Sequence, residues 1–392
     1  MTTSAEQEYA AAVRAYADHL RAGGTTPWAT WVRDLPATTA APGPLLDPLP
    51  DAVHLELLRR LNERAGAPVV PAADVVLGTP SPGRGLVDVP LPWPGHEPAF
   101  GSPAIDPAAL PGEELLRLAA GLLTRLLPGV PPAPEGPAPD RWPLPWRSRF
   151  RVHGAPLTAD VVRRGLTAAG AVESDWRPVH LVVARPVEDM VAEHWTAATR
   201  AGSILRWSAV WRRARAADRL PGPVDVAATA DRLHREGADV RVLVAPDAAT
   251  ATGLAARLLG VRPPPAPAPA ALVDLPGSDL LRRVNRLAAL GEAPRATTRS
   301  LVQVLDAIPR AGTAPAPRAP RASRDWAARA AARLAEDLSR ADYPVLGDLA
   351  ALHPASSGAP RRSGAGTIDP DHTLEVALAA CLTTLLERTR PT

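Results

Sequence analysis

RFRVHGAPLTADVVRRGLTAAGAVESDWRPVHLVVARPVEDMVAEHW, residues 149–195, decides the fold. RFRVHG at 149–154 reads as a strand, and 158–170 as a helix. VHLVVA at 179–184 is a short apolar run of the kind that forms a buried strand, and 186–201 is a second helix. Downstream the pattern repeats, with a helix over 224–236, the strand DVRVLVA at 239–245 and a helix over 248–260. Strands alternating with helices predict a parallel α/β sheet with right-handed crossovers.

The flanking sequence is helical. Residues 5–22 place Tyr9, Val13, Tyr16 and Leu20 on one face, and Gly23-Gly24 ends that helix. Further helices are expected over 50–65 and 107–127, with an aperiodic Pro/Gly-rich segment at 78–103 between them. Residues 277–340 read as helical, YPVL at 343–346 as a short strand, and 371–389 as a final apolar helix. Of the 47 prolines, many fall in three runs at 128–145, 263–269 and 309–320, expected to be extended spacers, and PASSGAPRRSGAG at 354–366 reads as a disordered tail. The expected organisation is a helical N-terminal domain (1–127), a Pro-rich linker (128–147), an α/β domain (148–355) and a flexible tail with a terminal helix (356–392).

Composition excludes several chemistries. The chain has no lysine, so all 44 basic residues are arginine. No side-chain Schiff base can form and no P-loop lysine can reach a transferred group. The alphabet, rich in Ala, Pro, Arg, Gly, Val and Leu, is that of a very GC-rich genome. A net charge of +3 over 392 residues gives no global case for nucleic-acid binding. Cys381 is the only cysteine, which rules out an internal disulfide and a cysteine metal site. No run approaches the roughly 18 apolar residues of a membrane span. The N-terminus lacks the features of a signal peptide, so a cytoplasmic protein is expected.

The α/β block is similar to P-loop sulfotransferase-like proteins of actinobacteria. Four segments carry the resemblance: RVHGAPLTADVVRRGL (151–166), VHLVVARPVEDMVAEHW (179–195), DLLRRVNRL (279–287) and WAARAAARLAEDLSRADYPVLGDLAALHP (326–354). The family's cofactor loop reads approximately G-x-P-K-[ST]-G-[ST]-[ST]. Its small residues let backbone N–H groups wrap a phosphate, and its lysine stabilises the sulfuryl group in transfer. The resemblance makes Gly154, Pro156 and Thr158 candidate cofactor-binding positions, and makes Arg185 the counterpart of the arginine that contacts the 3′-phosphate.

The departures bear on function. Leu157 stands where the lysine belongs and Ala159 where the glycine belongs. Asp160 puts a negative charge at the helix start, where it would repel an incoming anion. The hydroxyl expected about two turns after Arg185 is missing from VAEHW at 191–195. A structural reading of the loop has Thr158 or Asp160 simply capping the helix, and Arg185 pairing with Glu188 or Asp189. His153 and His180 sit at strand positions and read as core or strand-end histidines.

The expected function is therefore a non-catalytic accessory or binding protein with an unknown protein partner and no cofactor. The alternative is a transferase using 3′-phosphoadenosine 5′-phosphosulfate, with Arg163, Arg164 or Arg185 in lysine's place. A third reading is an interaction module on the Trp/Arg helix around Trp207 and Trp211, which reads first as core packing with an arginine-rich solvated side. GGTTPWATW (23–31) reads as a capping motif, GTPSPGRG (78–85) as a loop rather than a phosphate site, and DPDH (369–372) as a helix cap rather than a metal site.

Overall fold

The computed structural model describes residues 4–35, 49–66, 70–80, 89–94, 103–129, 148–262, 273–291, 296–308, 318–353 and 367–389. The chain divides into two units, one of 1–133, 279–309 and 369–392, the other of 134–278 and 310–368. Both are discontinuous, where the sequence led us to expect continuous domains. Most of the three Pro-rich runs, all of 354–366 and residues 81–85 of the GTPSPGRG stretch lie outside the described residues.

Helices α1 (Ser4–Arg21), α2 (Trp28–Arg33), α3 (Ala52–Ala65), α4 (Val70–Leu77) and α5 (Gly112–Leu126) open the first unit. Asp51 caps α3 by accepting the His54 amide at 2.9 Å, and Gly66 ends it in the left-handed region. The helix expected over 107–127 starts at 112, because Pro111 cannot donate the hydrogen bond that would continue the 3₁₀ turn at Pro107–Ala109. Pro27 stands before α2 rather than in its first turn, and no side chain caps that helix.

The second unit follows with β1 (Arg149–Gly154), α6 (Pro156–Ala168), β2 (Val172–Glu173), β3 (Val179–Ala184), α7 (Val187–Arg200), α8 (Trp207–Ala217), α9 (Val226–Arg235), β4 (Asp239–Val244) and α10 (Ala248–Leu258). After α11 (Leu275–Ala289) and α12 (Ala296–Ala307) come α13 (Arg324–Ser339), β5 (Val345–Gly347) and α14 (Pro370–Thr389). In the first unit, leucines of α11, α12 and α14 share one apolar core with α1, α3 and α5. Cys381 is fully buried there, and burial pushes its thiol well above its usual pKa, which fits a small core hydrophobe.

The five strands form one parallel sheet in the order β2-β1-β3-β4-β5, an α/β fold as the sequence predicts. Alternate strand residues face two cores. Phe150, Val152, Leu181, Val183 and Leu243 pack with α6 and α10, whereas Val182, Ala184, Val242 and Val244 pack with α7, α9 and α13. This is a doubly wound order, and its direction reverses between β1 and β3. In such sheets ligands bind beyond the carboxyl ends of the strands flanking that reversal, here Gly154 and Ala184.

Gly154 is indispensable to this end of β1. Its φ is +100°, and a β-carbon there would lie 2.2 Å from the Val183 carbonyl oxygen. Gly154→Ala is expected to destabilise the protein by about 3 kcal/mol or more, through backbone strain and displacement of β3. A urea midpoint indistinguishable from wild type would show that the turn is not so constrained.

Candidate functional site

At the reversal point, β1 leads through Ala155 directly into α6, with Pro156 in the first helical position. Neither Thr158 nor Asp160 caps the helix from its own chain segment: the residue before it, Ala155, offers no side-chain bond, and Asp160 pairs outward with Arg163. Thr158 lies in the first turn, where backbone N–H groups have no helical partner. Its amide donates to Glu193 Oε2 at 2.8 Å and its hydroxyl donates to Glu193 Oε1 at 2.7 Å. Both residues are fully buried. A carboxylate from α7 thus sits where an anion would bind at the start of α6.

β3 delivers the counter-charge. Arg185 follows Ala184 directly, and its Nη1 donates to Glu193 Oε1 and, at 3.3 Å, to Thr158 Oγ1. Its Nη2 donates to Asp189 Oδ2 at 2.9 Å and to the Pro246 carbonyl at 3.2 Å. Of the two expected partners, Asp189 pairs with Arg185. Glu188 instead turns to the Ala319 amide, with 2.8 Å between donor and acceptor. Burial pushes Asp189 up to about 6; Arg185 opposes this, while the neighbouring Glu193 and Glu188 charges add to it.

The structure brings Thr158 and Arg185 together on Glu193, with Gly154 shaping the approach and Pro156 starting the helix. Glu193 itself was not singled out in the sequence. Its signal was positional: it lies eight residues after Arg185, in the window where the resemblance calls for a hydroxyl. A helix repeat of 3.6 brings it to the same face of α7 as Asp189, the face that meets Arg185 at the end of β3.

His153 and His180 lie on adjacent strands, stacked with Nε2 and Nδ1 3.0 Å apart. Burial, the His180 imidazole and nearby arginines hold His153 down at about 4. The pair therefore shares one donor and one acceptor as neutral rings. Among the described residues no group of three or more His, Cys, Asp or Glu is placed to hold a metal, and the Asp369 side chain accepts the Asp371 amide at 3.0 Å as a helix cap.

Trp207 and Trp211 are core residues, 3% and 0% exposed, in a chain of ring contacts from Trp195 to Trp326, tilted at Trp195–Trp207 and edge-to-face beyond it. Among the described residues no exposed aromatic patch surrounds them, while Arg212, Arg213 and Arg215 on the same helix are exposed. No described helix is long and apolar enough to cross a membrane. No family model, curated protein or solved structure matches this chain.

Removing the buried carboxylate leaves Arg185 and the Thr158 amide short of a partner, so Glu193→Ala is expected to cost about 3–5 kcal/mol. Millimolar formate, a carboxylate small enough for the vacated space, is expected to raise the melting temperature of Glu193→Ala and not that of wild type. Equal formate responses in the two proteins would mean that Glu193 does not fill an anion slot.

Proposed function

We propose that this chain is a non-catalytic accessory or binding protein, built on a sulfotransferase-like α/β scaffold whose phosphate slot is closed by its own Glu193. One observation carries this reading: the fully buried carboxylate that accepts both Thr158 donors and an Arg185 donor. A nucleotide phosphate at the same place would have to displace an anion tethered to α7. It would also have to do so without a lysine anywhere in the chain.

The transferase reading would use 3′-phosphoadenosine 5′-phosphosulfate and needs an arginine in the role of the absent lysine. Arg185 is already engaged by Glu193 and Asp189. Arg163 pairs with Asp160 and, at 3.0 Å, with Glu173. Arg164 is exposed. The geometry therefore favours the binding-protein reading.

Calorimetric titration with adenosine 3′,5′-bisphosphate, the product of that donor, separates the two. We expect no saturable heat at millimolar nucleotide. Saturable binding that Arg185→Ala abolishes would instead establish a working donor site.

A further inference from the structure

A second place in the α/β unit gathers cationic and apolar side chains around an open cleft, and Thr158, Arg185 and Glu193 are not among its lining. Between α7, α8 and α9 lies a cleft of about 540 Å³. That size is within the range of small-molecule pockets, roughly 300–1,000 Å³. Its lining includes the apolar Val210, Ala214 and Leu220, all buried, and the cationic Arg213, Arg219 and Arg232.

The charge balance is one-sided. Against three guanidinium groups stands one acidic residue, Asp225, whose carboxylate accepts the Ala228 amide at 3.3 Å at the start of α9. Among the described residues, Arg213 and Arg219 have no ion-pair partner. Arg232 has only an exposed 3.3 Å pair with Glu236, of the kind that contributes little and exchanges readily. His194 completes the wall; burial holds its pKa below the usual value, so it presents a neutral imidazole.

The backbone is arranged to hold these groups in place. Asp218, which follows the last residue of α8, is a non-glycine residue in the left-handed region at φ +46°. Its carboxylate accepts the Trp326 indole N–H at 2.8 Å and Arg333 at 2.9 Å, which pins the turn. Arg219 follows at once, with its amide bonded back to the Ala214 carbonyl at 3.2 Å, and the next residue, Leu220, is buried. Arg213 stands on a helix anchored by the buried Trp207 and Trp211. Such positions lose less freedom on binding than arginines on mobile segments.

We propose that this cleft binds a small organic oxyanion, a phosphate or sulfate group carried on an apolar body. Arg213, Arg219 and Arg232 take the tetrahedral group, and Val210, Ala214 and Leu220 take the body. Guanidinium suits this task because its forked donors match two oxygens of one such group. A bare inorganic ion leaves the apolar surface unused, and a neutral body leaves the arginines unused.

Phenyl phosphate is a direct probe, followed by calorimetry on the full chain. We expect saturable binding at millimolar or lower concentration, stronger than that of inorganic phosphate or benzyl alcohol. The doubly substituted Arg213→Ala/Arg219→Ala protein is expected to bind about tenfold more weakly or worse, while Arg257→Ala, an exposed position on α10, binds as wild type does. Both substituted arginines are exposed, so the double variant keeps its fold, which circular dichroism checks. The proposal fails if phenyl phosphate does not saturate, if the double variant binds as tightly as wild type, or if an acidic peptide binds the cleft and phenyl phosphate does not. The last result would make the face a protein-docking surface instead.

Discussion

A carboxylate with no exposure to water organises the reversal point of the sheet. Glu193 can remain buried there only because three donors converge on it: the Thr158 amide, the Thr158 hydroxyl and Arg185. Each donor depends on a different piece of local structure. The Thr158 amide is free because it lies in the first turn of α6. That turn starts where it does because Gly154 lets β1 pass close against Val183 and Pro156 begins the helix. Arg185 arrives from the end of β3 and is steadied by Asp189 and the Pro246 carbonyl. The result is an anion site whose anion is covalently part of the protein.

The same device recurs where the chain buries charge. Glu56 is 1% exposed and is held by Arg59 and Arg60 together; burial works against its ionised form, yet the two arginines bring its pKa below the usual carboxylate value. Asp279 likewise accepts from Arg282 and Arg283, and Arg283 reaches on to Glu113 with both of its terminal nitrogens. A lysine is a point charge with no planar fork. The guanidinium can serve two carboxylates at once, and this chain uses arginine in that way in both units. Such networks hold geometry more than they add net stability, because the desolvation of each ion offsets much of the attraction.

The local pattern of the α/β unit was legible in the sequence. The strands at 149–154 and 179–184 have the limits their composition predicts, the first from its alternation of polar and apolar residues up to Gly154, the second from an apolar run between Pro178 and Pro186. Helix ends moved by a few residues where prolines at 111 and 156 set them. The helix at 70–77 was missed, being short and set among turn-forming residues. Non-local facts were hidden. Nothing in the final apolar helix says that α14 packs into the core of the N-terminal helices, since the pairing depends on residues some 250 positions away. The site was half legible. Thr158 and Arg185 stood out through the resemblance, but VEDMVAEHW contains three acids, and only tertiary packing decides which one meets Thr158.

The central claim is that the first turn of α6 is capped by Glu193 and not open to a ligand. Amide hydrogen exchange at Thr158 tests it most directly, because an amide in the first turn of a helix exchanges fast unless something outside the helix accepts its hydrogen bond. The account predicts that Thr158 is protected to the level of the β1 and β3 core amides, and that millimolar phosphate leaves its exchange rate and chemical shift unchanged. Rapid exchange at Thr158 that slows when phosphate is added would contradict it, and would mean that the slot is vacant in solution and receptive to an anion.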